Sequence, residues 1–267
     1  MKKMIVMDLD GTLLNQESKV SSKTKEYLNK LKKNGYIIVI ATGRILKSAL
    51  IATDEADFAN YIVTDAGATV YREENKDWKE IYSNLIPKRI AEDIISIYDE
   101  NRFMYIDICS KNYIDKYATK YFSENVIVRN YNNKNEILEN VNEINHISVR
   151  FVENKFVKEY KQLFSEKYPE LDTKIMQDSF DDVKWLELAK KGIQKYNGIY
   201  KISQIENIDN KDIIAFGDGL NDVDMIERCG VGVAMKNALK EVKEKADFIT
   251  EKSNCEDGIV DFLEKNL

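Results

Sequence analysis

Three continuous apolar runs each give out onto polar residues capable of chemistry, and that pattern limits what the chain can fold into. Met4-Ile5-Val6-Met7 leads into Asp8-Leu9-Asp10-Gly11-Thr12, and Tyr36-Ile37-Ile38-Val39-Ile40 into Ala41-Thr42-Gly43-Arg44. Ile213-Ile214-Ala215-Phe216 leads into Gly217-Asp218-Gly219-Leu220-Asn221-Asp222. Strands buried on both faces of a parallel sheet read as such unbroken apolar runs. In an open parallel sheet the ligand edge is the one where strands end, so separate strands would bring these carboxylates and a hydroxyl to one place.

The intervening sequence supports this arrangement. Ser21-Ser22 can cap a helix whose Tyr27, Leu28 and Leu31 share a face, and Gly35 closes it before the next strand, which makes a βαβ unit. Tyr61-Ile62-Val63-Thr64 reads as a third strand with Asp65-Ala66-Gly67 as its terminal turn. Later in the chain a helix is expected from about Asn221 to Arg228, then short strands at Val231 to Ala234 and Phe248 to Thr250.

The stretch from about Leu85 to Glu187 differs in texture. It carries helix patterns near Lys88 to Glu100 and Lys155 to Lys167, and strand patterns at Phe103 to Ile108, Val126 to Val128 and Ile147 to Val152. Both prolines, Pro87 and Pro169, and the single histidine, His146, lie in it, and Asn130 to Asn145 is polar enough for a loop. The expected fold class is α/β, a Rossmann-like parallel sheet core with an inserted second α/β domain. Residues 1–84 and 188–267 would form the core and 85–187 the insertion, with crossings near 82–87 and 185–191 and Trp78 and Trp185 packing beside them.

Composition excludes several function classes. A formal charge of -6 over 267 residues argues against general affinity for nucleic acid or an anionic membrane. The apolar run after Met1-Lys2-Lys3 is interrupted at once by Asp8 and Asp10, so it is no signal peptide, and no stretch has membrane-spanning length. Cys109, Cys229 and Cys255 are odd in number and lack paired short spacings, as expected of thiols in a reducing compartment. A cytoplasmic protein, a monomer or weak homo-oligomer, is expected, and small phosphorylated metabolites stay open as partners because they need only local cation density.

Asp8 and Asp10 are two apart, so on an extended segment both side chains leave the same face and can serve one centre. Asp10-Gly11 can equally be a turn, and Asp222 and Asn221 can be helix caps. Neither His nor Cys stands at these positions, which disfavours zinc.

The order Asp-x-Asp-Gly-Thr, Thr-Gly-Arg, Lys195, Gly-Asp-Gly-x-Asn-Asp resembles the haloacid dehalogenase superfamily of phosphohydrolases. With its large insertion after the second motif, the chain is most similar to the Cof-type branch, whose α/β cap covers the site. The resemblance implies that Asp8 is the nucleophile and becomes an aspartyl phosphate, while Asp10 protonates the leaving oxygen and then serves as base for water. It implies Mg²⁺ held by Asp8, Asp218 and the backbone carbonyl of Asp10, with Asp222 supporting from nearby. Thr42, the Gly43 and Leu9 amides, Lys195 and Asn221 would hold the phosphate, and Arg44 would reach phosphate or substrate, or simply pair with an acid. Lys190 and Lys191 stand close enough in sequence to be confused with Lys195. Asp65 stands where relatives often show Asn.

Charge counting fits this set. Asp8, Asp218 and a phosphate dianion bring about -4 into one pocket, each unit pair at ~4 Å costing ~4 kcal/mol at an effective dielectric near 20. Mg²⁺ and Lys195 supply +3. The leading expectation is therefore an Mg²⁺-dependent phosphomonoester hydrolase acting on small metabolites, sugar phosphates first. A phosphomutase or phosphotransferase would use the same aspartyl phosphate, and a phospho-Asp signalling or binding protein is the non-hydrolytic alternative. His146, Ser179, Asp181 and Asp182 have blander readings as structural or solvated groups.

Overall fold

A computed structural model describes residues 3–177 and 183–267. The chain separates into two compact units: Met1–Ser83 with Gln194–Leu267, and Asn84–Ile193.

The first unit begins with β1 (Met4–Met7), every residue of it buried, and an irregular turn over Leu9–Leu13. Helix α1 (Ser22–Lys33) starts where the Ser21 hydroxyl accepts the Thr24 amide at 3.1 Å, and it buries Leu28 and Leu31 against the sheet. Strand β2 (Ile37–Ala41), helix α2 (Leu46–Thr53) and strand β3 (Tyr61–Thr64) follow. A hairpin of β4 (Thr69–Glu74) and β5 (Asp77–Ser83), unexpected from the sequence, completes this part. Its turn residues Asn75 and Lys76 both have positive φ, the geometry that suits the twist of a tight hairpin.

The second unit comprises α3 (Lys88–Ser96), β6 (Phe103–Cys109), β7 (Ile114–Tyr117), β8 (Val128–Tyr131), α4 (Lys134–Asn140), β9 (His146–Phe151), α5 (Lys155–Lys167), β10 (Leu171–Gln177) and β11 (Lys184–Lys190). Its sheet has the order β10-β11-β9-β6-β7-β8, antiparallel except for β7 with β8. It has its own apolar core, including Ile90, Ile94, Phe103, Ile147, Phe164 and Leu188.

Three expectations need correction here. Helix α4 occupies part of the polar stretch read as a loop, because the Asn133 side chain caps it and Ile137 buries beneath it. The return to the first unit falls between Ile193 and Gln194, since β11 pairs with β10 through Lys190. Trp185 accordingly lies within β11 beside Tyr105 and Arg150, whereas Trp78 is buried in the core of the first unit.

The first unit then resumes with α6 (Lys195–Glu206), β12 (Ile213–Gly217), α7 (Val223–Arg228), β13 (Val231–Ala234), α8 (Lys240–Lys243), β14 (Phe248–Ile249) and α9 (Gly258–Asn266). Its eight-stranded sheet runs β14-β13-β12-β1-β2-β3-β4-β5, parallel from β14 through β3 and antiparallel at β4 and β5. Strand β1 sits centrally with Met7 level with Ile40 of β2 and Phe216 of β12. The residues just beyond these strands therefore emerge at one edge. Among the described residues, no helix is long and apolar enough to cross a membrane.

Helix α6 is seated by close approach. A Cβ added at Gly198 would lie 2.4 Å from Cγ1 of Val63 in β3, so only glycine fits there without displacement. We predict that Gly198→Ala destabilises the protein by about 1–3 kcal/mol through overpacking. Denaturant unfolding measures this, and an unchanged midpoint would contradict the tight seat.

Candidate active site

The strand register sets out the site. The Asp8 amide donates to the Phe216 carbonyl at 3.0 Å, continuing the β1–β12 ladder by one residue, and the Thr42 amide donates to the Val63 carbonyl at 2.9 Å. Beyond Asp8 the chain turns sharply, with Gly11 at φ +80° and its backbone against Asp218. A Cβ at Gly11 would lie 2.3 Å from the Asp218 carboxylate, so a side chain there would evict it.

Lys195 is the unusual member. It is the first residue of α6, where the positive end of the helix dipole opposes a cation, and it is fully buried. Two carboxylates hold it: Nζ donates to Asp8 Oδ1 at 2.5 Å and to Asp222 Oδ1 at 2.6 Å. Burial works against the ammonium, but Asp8 and Asp222 outweigh it and raise the Lys195 pKa above its usual range. The other Asp222 oxygen accepts the amides of Asp218 and Gly219, both at 2.9 Å. Asp222 thus fastens the β12 loop to Lys195. Lys190 ends β11 and Lys191 is an exposed residue of the second unit, so neither takes this place.

Asp218 accepts the Thr12 hydroxyl at 2.7 Å. Carboxylate oxygens of Asp8, Asp218 and Asp222 lie within 4.8 Å of one another. Both Asp222 oxygens already have partners, while Oδ2 of Asp8 and Oδ2 of Asp218 form no hydrogen bond among the described residues. Asp8 and Asp218 could therefore hold a cation and Asp222 brace it. The set is all oxygen and anionic, which fits a hard divalent ion.

Asp8 is not an ordinary carboxyl. Burial pushes it up to about 7, with Lys195 opposing and Asp222 and Asp218 adding to the rise. Burial likewise pushes Asp218 up to about 6, against the Thr12 hydrogen bond. Bringing these carboxyls together costs free energy that a cation would relieve.

Asp10 points to a different environment. Its side chain is 58% exposed, and Arg44 grips both its oxygens, Nε to Oδ2 at 2.8 Å and Nη2 to Oδ1 at 2.5 Å. The two readings of Arg44 meet here, since the acid it pairs with is itself a candidate site residue. The Arg44 amide donates to the buried Thr42 hydroxyl at 3.1 Å, which fixes the turn after β2. Leu9 is buried and Gly43 and Asn221 are exposed on the same strand-end loops. Asp65 is buried at φ +51°, its amide bonded to the Arg44 carbonyl. His146 is half-buried in β9. Ser179, Asp181 and Asp182 lie outside the described residues.

The sequence reading gave no role to three residues that frame the site. Thr12 orients Asp218, and its place in the first motif was the available signal. Asp224 accepts the Tyr196 amide at 3.0 Å and ties α6 to α7. Asn237 donates to the Gly11 carbonyl at 2.7 Å, a contact no local pattern announces.

Known proteins resemble this chain over nearly its whole length. The family model for haloacid dehalogenase-like hydrolases matches residues 5–263. The chain is 28% identical over 273 aligned residues to 5-amino-6-(5-phospho-D-ribitylamino)uracil phosphatase YitU of Bacillus subtilis, covering 98% of this chain and 96% of that one. It superposes on TM0651 from Thermotoga maritima with TM-score 0.82 and 26% identity, over 100% of this chain and 98% of that one. It shares its fold with the HAD subclass IIB sugar phosphatase BT4131, with TM-score 0.73 and 24% identity over 99% and 98% of the two chains. The chain belongs to the haloacid dehalogenase-like hydrolases and is a phosphatase acting on phosphorylated substrates.

Proposed function

We propose that this phosphatase is Mg²⁺-dependent, works through an aspartyl phosphate on Asp8, and acts on small phosphorylated metabolites, sugar phosphates first. The observation that carries the reading is the buried Lys195 cation bonded to Asp8 at the strand edge. A cation so placed has a task once a dianionic phosphoryl group arrives beside a carboxylate nucleophile.

In the proposed reaction an Asp8 oxygen attacks phosphorus, the ester P–O bond breaks, and Asp10 gives its proton to the leaving oxygen. Asp10 then takes a proton from water as the water oxygen attacks the phosphoryl group, releasing phosphate and restoring Asp8. Proton transfer at Asp10 requires one of its two Arg44 bonds to open. Lys195, the Thr42 hydroxyl, the Leu9 and Gly43 amides and Asn221 hold the phosphoryl oxygens. Asp8, the Asp10 carbonyl and Asp218 would hold Mg²⁺, which neutralises phosphoryl charge when bound. The substrate class follows the named relatives, one acting on a phosphorylated ribityl compound and one on sugar phosphates.

Asp8→Asn should reduce turnover by at least about 10³-fold with the fold intact, because it removes the nucleophile at nearly constant volume. Asp10→Asn should lose about 10²–10⁴-fold for want of a proton relay. Phosphate release from a panel of sugar phosphates measures both, and near-normal turnover by folded Asp8→Asn protein would overturn the assignment. Release of one phosphate per ester cleaved separates hydrolysis from transfer to a second hydroxyl. Ca²⁺ should substitute poorly, since it accepts more ligands at longer distance and would let Asp8 bind through both oxygens, which would spoil in-line attack.

A pH dependence follows from the raised carboxyls. Between about pH 4 and pH 7 the folded protein binds protons at Asp8 and Asp218 that the unfolded chain does not, so these groups make metal-free stability fall as pH rises through that window. A cation competes with the same protons. The rise in Tm on adding Mg²⁺ should therefore be larger near about pH 7.5 than near about pH 5.5. Equal shifts at both would contradict metal binding at these carboxylates.

A further inference from the structure

We propose that a surface pocket of the first unit, formed by α6, the end of α7 and β5, binds a small aromatic anion and that its occupation alters turnover. The pocket has a volume of about 210 Å³ and is lined by Tyr82, Tyr196, Asn197, Tyr200, Lys201 and Arg228. None of these belongs to the phosphoryl-transfer set.

Its chemistry is specific. Arg228 lies over the Tyr196 ring at 4.0 Å and is thereby held in place, and Tyr196 and Tyr200 are stacked with centroids 6.2 Å apart. Lys201 stands 6.0 Å from the Tyr82 ring. In a chain of net charge -6, neither cation forms an ion pair among the described residues. The carboxylate that feels Arg228, Asp224, already takes the Tyr196 amide. Two cations outside any ion pair, beside half-exposed aromatic faces, suit a planar ring bearing a sulfonate, carboxylate or phosphate: the ring stacks on Tyr200 or Tyr82 and the anion meets Lys201 and Arg228.

The coupling is through two helices. Tyr196 follows Lys195 directly on α6, and α7 follows Asp222, the partner of Lys195. A ligand that joins α6 to Arg228 at the end of α7 therefore biases the spacing of the two elements that carry the buried ion pair.

The test is calorimetric titration of the full chain with naphthalene-2-sulfonate, beside 2-naphthol and methanesulfonate as single-feature controls. We expect saturable 1:1 binding with Kd below about 1 mM, weak binding of both controls, and no displacement by inorganic phosphate. The Lys201→Gln/Arg228→Gln variant should weaken binding roughly tenfold while keeping basal turnover of a sugar phosphate. Saturation should change wild-type turnover about twofold or more and leave the variant's unchanged. Absence of saturable binding, equal binding of a control, unchanged affinity in the folded variant, displacement by phosphate, or bound probe with unaltered turnover would each overturn the proposal.

Discussion

The buried ammonium of Lys195, shared between Asp8 and Asp222, is the interaction on which the arrangement of the first unit depends. It joins the end of β1, the start of α6 and the loop after β12, which are far apart in sequence. Burying such a group costs several kcal/mol per ion, and placing it at the N-terminus of a helix adds a further penalty. Apolar residues in place of all three would serve stability as well or better, whereas loss of Lys195 alone would leave two buried carboxyls without their cation. A local choice that opposes stability on two counts, held by three separate elements, is the mark of a site shaped for chemistry.

The other charged contacts divide according to burial. Arg44 and Asp10 form a bidentate pair at the partly exposed side of the site, where solvent weakens the attraction and a proton can be exchanged. Asp8 sits in the dry part, where burial lifts its pKa toward neutrality and makes it dependent on neighbouring cations. The proposed division of labour follows: the buried carboxyl forms the covalent bond and the exposed one moves protons. The backbone supports this through close approaches, Gly11 against Asp218 and Gly198 against Val63, that leave no room for a side chain at either glycine.

Much of this was legible because the parallel core writes itself as unbroken apolar runs. Met4–Met7, Ile37–Ala41 and Ile213–Gly217 are strands, and the residues that follow each of them converge because Met7, Ile40 and Phe216 share a level in the sheet. The hairpin of β4 and β5 was not legible, as only part of it is buried and its turn carries Asn75-Lys76 rather than a glycine. Helix α4 was hidden by polarity, with Ile137 its one buried residue. The Arg44–Asp10 pair, the elevation of Asp8 and the support from Asn237 are matters of three-dimensional proximity, which spacing along the chain does not encode.

The central claim is that Asp8 is phosphorylated during turnover, and the stereochemical course at phosphorus tests it most directly. A phosphate monoester made chiral with oxygen isotopes would be turned over with an alcohol as acceptor, and the configuration of the product ester determined. Two successive in-line displacements, one by Asp8 and one by the acceptor, predict net retention of configuration. Net inversion would mean a single direct displacement without a covalent intermediate, and would contradict the account.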